Sequence, residues 1–159
     1  MASEGVIAPH EHWLLAGTPA EQLQRLLAVG HETRYLPGEI IFREGQPSDG
    51  LYLVTAGSVR VTAAGSRGEA MLAVIKANEV LGEMGVLDGR PRSATASALS
   101  VCDIFFLPAE PFLDLVEKSN SLAMRLIAVL TERVRRANDR LVELVASDAE
   151  VAEEPWLAP

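Results

Sequence analysis

Two kinds of hydrophobic spacing divide the chain. Between Gly30 and Pro108 the apolar residues come in short runs, or alternate with polar ones, and clusters of Gly, Pro, Asp and Ser interrupt them. Ile40 to Phe42, Leu51 to Thr55, Val59 and Val61 about Arg60, Met71 to Ile75, the small alternating residues Ala94 to Ala98, and Ile104 to Leu107 each have the length and bounds of a strand. Turn signals fall at Pro37-Gly38, Gly45 to Gly50, Ala56-Gly57 and Ala64 to Gly68. Strands and turns at this spacing predict a closed or rolled antiparallel β structure.

On either side the spacing is helical. Thr18-Pro19-Ala20-Glu21 reads as a capping box with proline at the first helical position, and Leu23, Leu26 and Leu27 form an apolar stripe, which predicts a helix from about Pro19 to Val29. Phe112, Leu113, Leu115 and Val116 predict a second helix over Pro108 to Lys118. Ser119 or Ser121 can cap a third, extending to about Val145. Its apolar positions Leu126, Leu130, Val134, Ala137, Leu141 and Leu144 recur at four, four, three, four and three residues, the later ones as a heptad seam. A helix of this length cannot bury both a roll-facing side and the seam in one small domain. The expectation is a parallel homodimer through Leu126 to Leu144; the alternative is one amphipathic helix lying on its own roll. Arg133, Arg135, Arg136 and Arg140 interleave with Glu132, Asp139 and Glu143, the pattern of a solvated, salt-bridged face rather than a nucleic-acid stripe.

The expected fold class is therefore α+β, mainly β: an antiparallel β-roll of jelly-roll type with a short N-terminal helix and two C-terminal helices, the last long. Residues 1–145 form one domain that includes the dimerisation helix. Residues 146–159 form an acidic, disordered tail, because Asp148, Glu150, Glu153 and Glu154 stand there with no basic residue.

Composition narrows the chemistry. With 159 residues, 48% hydrophobic and 23% charged, the chain can bury one good core. A formal net charge of -8 is a poor footprint for direct DNA binding. The single cysteine, Cys102, excludes an internal disulfide and a cysteine-held metal cluster. There is no signal-peptide pattern and no apolar run near the roughly 18 residues of a membrane span, so the expectation is a cytoplasmic protein without a membrane partner. His10 and His12 flank Glu11, a spacing that can chelate a metal on a strand, but no third ligand is near and a surface segment is the better reading. His31, at the edge of the roll, is the one remaining histidine. An enzyme on a cupin-like barrel would need a histidine cluster inside the roll, so neither catalysis nor a catalytic cofactor is expected.

One stretch stands apart. Val80 to Ala98 reads VLGEMGVLDGRPRSATASA and holds the pair Gly82-Glu83, a turn at Asp88-Gly89, and Arg92-Ser93 before small alternating residues. Glycine lets a backbone approach a ligand, amides and a guanidinium meet phosphate oxygens, and a carboxylate accepts from sugar hydroxyls. The other reading of Glu83 and Arg92 is a mutual surface ion pair, worth about 0 to 1 kcal/mol. Ser93 is also ordinary in a turn.

Gly82-Glu83-Met84-Gly85 ahead of Arg92-Ser93-Ala94-Thr95, with Pro37-Gly38-Glu39 and the glycines of Gly45 to Gly57 before it, closely resembles the phosphate-binding cassette of the cyclic-nucleotide-binding domain family. The resemblance runs from about Leu15 to Val145. It implies that Glu83 accepts from a ribose 2'-hydroxyl and that Arg92 pairs with a cyclic phosphate. Backbone amides near Gly82 and Ala94, the Ser93 hydroxyl and Met84 of the cassette would complete the site. In the family the last helix covers the purine, and aligning helix starts places Ala137 and Asn138 there. Ala137 offers no side-chain donor or acceptor, whereas Asn138 offers both and can read either purine. Cyclic AMP is favoured over cyclic GMP. The residues after the long helix are too few for a helix-turn-helix, a departure from the family's transcription factors. If Met1 to Pro159 is the natural chain, a stand-alone sensor acting on a downstream protein partner is expected; if the natural chain is longer, the effector lies beyond Pro159. The competing reading is a roll that has lost its ligand and serves as a protein interaction module.

Overall fold

The structure is a computed structural model that describes residues 5–152. The chain falls into two units that divide between Ala123 and Met124.

The first unit is the roll. Strands β2 (Ile40–Phe42), β3 (Gly50–Ala56), β4 (Ser58–Gly65), β5 (Gly68–Lys76), β7 (Thr95–Ala98) and β8 (Cys102–Pro108) follow the predicted runs, whereas β1 (His31–Tyr35) and the two-residue β6 (Val80–Leu81) were not anticipated. They form two four-stranded antiparallel sheets, ordered β1-β8-β3-β6 and β2-β7-β4-β5. The buried faces meet at Phe42, Val54, Val59, Ile75, Leu81, Ala96, Ala98, Cys102 and Ile104. Burial of these side chains is the main stabilising term of the unit, at roughly 25 cal/mol per Å² of apolar surface removed from water. Loss of water pushes the Cys102 thiol up to about 11, with the Asp103 and Glu39 carboxylates adding to the effect. It packs as a small hydrophobe rather than as a reactive thiol.

Ahead of the roll, α1 (Ala20–Ala28) forms as predicted, but the capping box does not. Pro19 is itself the N-cap, in extended geometry, with no side-chain cap bond, and its carbonyl accepts from the Leu23 N–H at 2.9 Å. The Thr18 N–H is already committed to the Leu15 carbonyl. The preceding segment is not the plain surface segment anticipated. Two 3-10 turns, Pro9–Glu11 and Trp13–Leu15, enclose His12, which is fully buried. Its Nε2 donates to the Glu79 carbonyl at 3.0 Å and its Nδ1 accepts from the Leu14 N–H at 3.2 Å, so the ring is neutral with its proton on Nε2. Burial lowers its pKa, against the raising effect of the bond to Glu79. The Trp13 N–H donates to Asn78 Oδ1 and the Ile7 N–H to the Thr55 carbonyl, tying the segment across the roll. Among the described residues no three potential ligands converge on a metal position.

Within the roll, α2 (Glu83–Asp88) lies in the cassette between β6 and β7, and after the roll α3 (Ala109–Lys118) buries Phe112 and Leu115. Helix α4 (Asn120–Ala152) starts where the Ser119 hydroxyl accepts from the Leu122 N–H at 3.2 Å, the cap anticipated. It runs past Val145 to Ala152, so the first part of the acidic tail is helical; residues 153–159 lie outside the described residues. In the second unit Val134, Leu141 and Leu144 of the heptad seam are exposed. On the polar side Arg136 pairs with Glu132 one turn away at 3.2 Å. No described helix is long and apolar enough to cross a membrane.

Candidate functional site

The cassette hangs from β6, whose two residues pair with β3 through Leu81↔Tyr52 and Val80↔Leu53. Gly82 then turns the chain with φ 81° and caps α2, and Gly89 ends the helix with φ 71°. A side chain at Gly82 would be strained by that φ, and its Cβ would sit 2.6 Å from Arg92 Nη1. Gly85 is required for a different reason: a Cβ there would strike the Ser48 side chain and the Arg90 carbonyl. The six-residue helix α2 was not anticipated from the sequence. Its start has no side-chain cap, and two left-handed glycines define it instead.

Arg92 stands at the centre. Its N–H donates to the Gln46 carbonyl at 2.8 Å and its carbonyl accepts from the Gly45 N–H at 2.9 Å, which fixes its backbone to the loop between β2 and β3. The side chain is 2% exposed. Nη1 donates to the Gly82 carbonyl at 3.0 Å, and Nη2 donates to the Gly50 carbonyl at 2.7 Å and to Asp49 Oδ1 at 3.1 Å. The guanidinium carbon lies 4.4 Å from the centre of the Phe42 ring and 5.4 Å from that of Tyr52. Nε is buried with no hydrogen-bond partner among the described residues.

Glu83 is 2% exposed at the start of α2, so Glu83 and Arg92 are not the surface pair considered above. Gly82, Glu83, Met84, Arg92, Ser93 and Ala94 are grouped in the first unit. Ala94 is buried, whereas Ser93 and Met84 are exposed at its surface. Ala137 and Asn138 are exposed on α4, in the second unit.

Sequence reasoning missed Asp49, Phe42 and Tyr52. The Asp49 side chain is 72% exposed and faces Arg92, while its carbonyl accepts from the N–H of Ala109, the first residue of α3, at 3.0 Å. Nothing in the local sequence separates Asp49 from an ordinary turn aspartate. Phe42 and Tyr52 carried a strand signal that said nothing about which side chain they would meet.

Chemically, the cluster holds a permanent cation in a buried place where two of its three acceptors are neutral carbonyls. An unpaired buried N–H costs on the order of 1 to 3 kcal/mol. A forked donor in such surroundings suits a tetrahedral oxyanion, and the nearby buried carboxylate suits a hydroxyl-bearing group on the same ligand.

Known proteins resemble this chain in sequence and in fold. The sequence profile of the cyclic nucleotide-binding domain matches residues 32–119. The cyclic AMP receptor protein of Thermus thermophilus is 34% identical over 127 residues, covering 79% of this chain and 58% of that protein. The CRP-like cAMP-activated global transcriptional regulator of Mycobacterium tuberculosis is 26% identical over 112 residues, 70% of this chain and 50% of that protein. The chain thus spans 50 to 58% of the length of these relatives. Among solved structures, the Thermus thermophilus catabolite activator protein superposes with a TM-score of 0.69 at 33% identity, covering 83% of this chain and 62% of the other. The sensor domain of the transcriptional regulator DNR from Pseudomonas aeruginosa superposes with a TM-score of 0.69 at 26% identity, covering 82% and 88%. With the two-sheet roll, the glycine-framed cassette and the buried arginine in the matched stretch, the chain belongs to the cyclic nucleotide-binding domain family.

Proposed function

We propose that this chain is a regulatory sensor that binds a cyclic nucleotide, cyclic AMP in preference to cyclic GMP, and that it is not an enzyme. The observation that carries the reading is the buried Arg92, whose Nε has no hydrogen-bond partner among the described residues and whose fork is framed by the Gly82 carbonyl. The names of the relatives support the choice of cyclic AMP. In this reading Arg92 pairs with the cyclic phosphate, each charge-assisted bond worth about 1.5 to 3 kcal/mol. Glu83 accepts from the ribose 2'-hydroxyl. The amides near Gly82 and Ala94 and the Ser93 hydroxyl complete the anion site, Met84 lies at its rim, and Asn138 reads the base.

The same reading supplies an output. Phosphate oxygens compete with Asp49 for Nη2, and Asp49 holds the first residue of α3, so capture of the ligand bears on the start of the C-terminal helices. The working domain is residues 1–145, which pairs with a second copy through Leu126 to Leu144 and passes the change to a downstream protein in the cytoplasm.

Titration calorimetry with cyclic AMP and cyclic GMP on the wild type and on Arg92→Ala tests the proposal. Binding of at least one nucleotide by the wild type, lost in Arg92→Ala, is expected. No heat from the wild type with either nucleotide at millimolar concentration overturns the sensor reading. Equal binding by both proteins overturns the cassette assignment.

A further inference from the structure

A buried arginine that must stay open to an incoming anion poses a physical problem. Its charge needs stabilisation from groups that leave its N–H donors available. Asp49 meets Nη2 from one side and is largely exposed, and the two carbonyls are neutral. The flat face of the guanidinium is where the structure adds something else. The Phe42 ring lies 4.4 Å away, and Phe42 stacks on Tyr52 with centroids 5.5 Å apart and planes 28° from parallel. Tyr52 in turn packs at 5.1 Å against Phe106, so the Phe42 ring has an aromatic backing. The backbone fixes the pair as well. Phe42 pairs with Ala96 of β7, the strand that Arg92, Ser93 and Ala94 lead into.

We infer that Phe42, backed by Tyr52, is the positioning residue of the anion site: its ring face holds the Arg92 guanidinium buried and aimed before any ligand arrives. The inference rests on the nucleotide-binding reading above and adds a specific device to it. An aromatic quadrupole attracts a cation without occupying a hydrogen-bond donor, which no carboxylate or carbonyl in that place could do. A leucine at position 42 preserves most of the apolar volume but removes the quadrupole; a tyrosine keeps the ring face.

The test compares wild type, Phe42→Leu and Phe42→Tyr in the full chain, with two readouts. Calorimetry with cyclic AMP is expected to show roughly 10- to 30-fold weaker binding for Phe42→Leu and near wild-type binding for Phe42→Tyr. Nitrogen-15 NMR of the Arg92 Nε–H, assigned by its loss in Arg92→Lys, is expected to show an upfield ring-current shift in the free wild type and in Phe42→Tyr. That shift should fall sharply in Phe42→Leu, which leaves only the more distant Tyr52 ring beside the guanidinium. Thermal unfolding of each variant confirms the fold, and Phe42→Met replaces Phe42→Leu should the leucine variant not fold. If the wild type binds and the leucine and tyrosine variants bind alike, the inference is overturned. It is equally overturned if the Nε–H resonance does not move when the ring is removed. A wild type that binds neither nucleotide sinks the sensor reading instead, and the NMR comparison still decides whether the ring holds the arginine.

Discussion

Arg92 Nη2 lies 3.1 Å from Asp49 Oδ1, and the carbonyl of the same aspartate accepts from the first N–H of α3. Arg92, the cation of the proposed anion site, and the start of a C-terminal helix therefore share one residue. If phosphate displaces the carboxylate, Asp49→Asn removes a competitor while leaving the backbone link intact. Because the Asp49 side chain is mostly exposed, the competition is a weak one, about 0 to 1 kcal/mol. Cyclic AMP is expected to bind Asp49→Asn up to about five-fold more tightly in calorimetry. A tenfold loss would mean that Asp49 aims Arg92 instead of competing for it.

Gly82 and Gly38 both adopt left-handed φ, 81° and 88°, but only at Gly82 would a Cβ meet another side chain, Arg92 Nη1 at 2.6 Å. Gly82→Ala and Gly38→Ala should each lose on the order of 1 to 3 kcal/mol of stability from backbone strain. Only Gly82→Ala should also abolish nucleotide binding. Urea unfolding and calorimetry on the two variants separate strain from site damage, and equal affinities would remove Gly82 from the site.

His12 is neutral when bonded to Glu79 and Leu14, and burial lowers its pKa from 6.5. The unfolded chain then binds more protons than the native one below that value. The contribution of His12 to stability is full above about pH 6.5 and is lost as pH falls from there toward the lowered native pKa. Titratable neighbours on the contacting segments are His10 and Glu11 beside it and Lys76 and Glu79 on the turn it grips. Urea unfolding between pH 7.5 and 5 is expected to show falling stability for the wild type and a flatter profile for His12→Gln. Parallel profiles would refute the assignment.

The Arg34–Asp103 pair acts in a separate window. Its two bonds, 2.7 and 3.0 Å, hold the Asp103 carboxyl below 3.8, with burial opposing. Its stabilisation is present above that pH and is lost as pH falls through the lowered native pKa, so Asp103→Asn should remove a step in acid unfolding.

Val134, Leu141 and Leu144 stand exposed along α4, which as an isolated surface has no reason to be apolar. Sedimentation of the wild type should show a species of twice 17.1 kDa, and Val134→Glu combined with Leu141→Glu should return it to 17.1 kDa. A wild type that sediments as a monomer at high concentration ends the dimer reading.

Much of this molecule was legible locally. The strands and the turns between them follow from alternation and from glycine and proline, because period and turn chemistry act over a few residues. The capping box at Thr18 failed for an equally local reason: Pro19 took the cap position in extended geometry. Helix α2 escaped notice because it is one and a half turns long and begins without a side-chain cap.

The sequence by itself determined the β-roll, the helical ends and the identities of Gly82, Glu83 and Arg92 as a spaced set. Only the tertiary structure decided that Arg92 is buried, that Asp49 and the Gly50 carbonyl meet it from 43 and 42 residues away, and that Phe42 lies under its face. It also decided that His12 closes over Glu79, 67 residues on. The physical reason is the same in each case. Periodicity records which face of an element is apolar, whereas the partner of a given side chain is set by strand register and sheet order, which bring together residues that no local pattern connects.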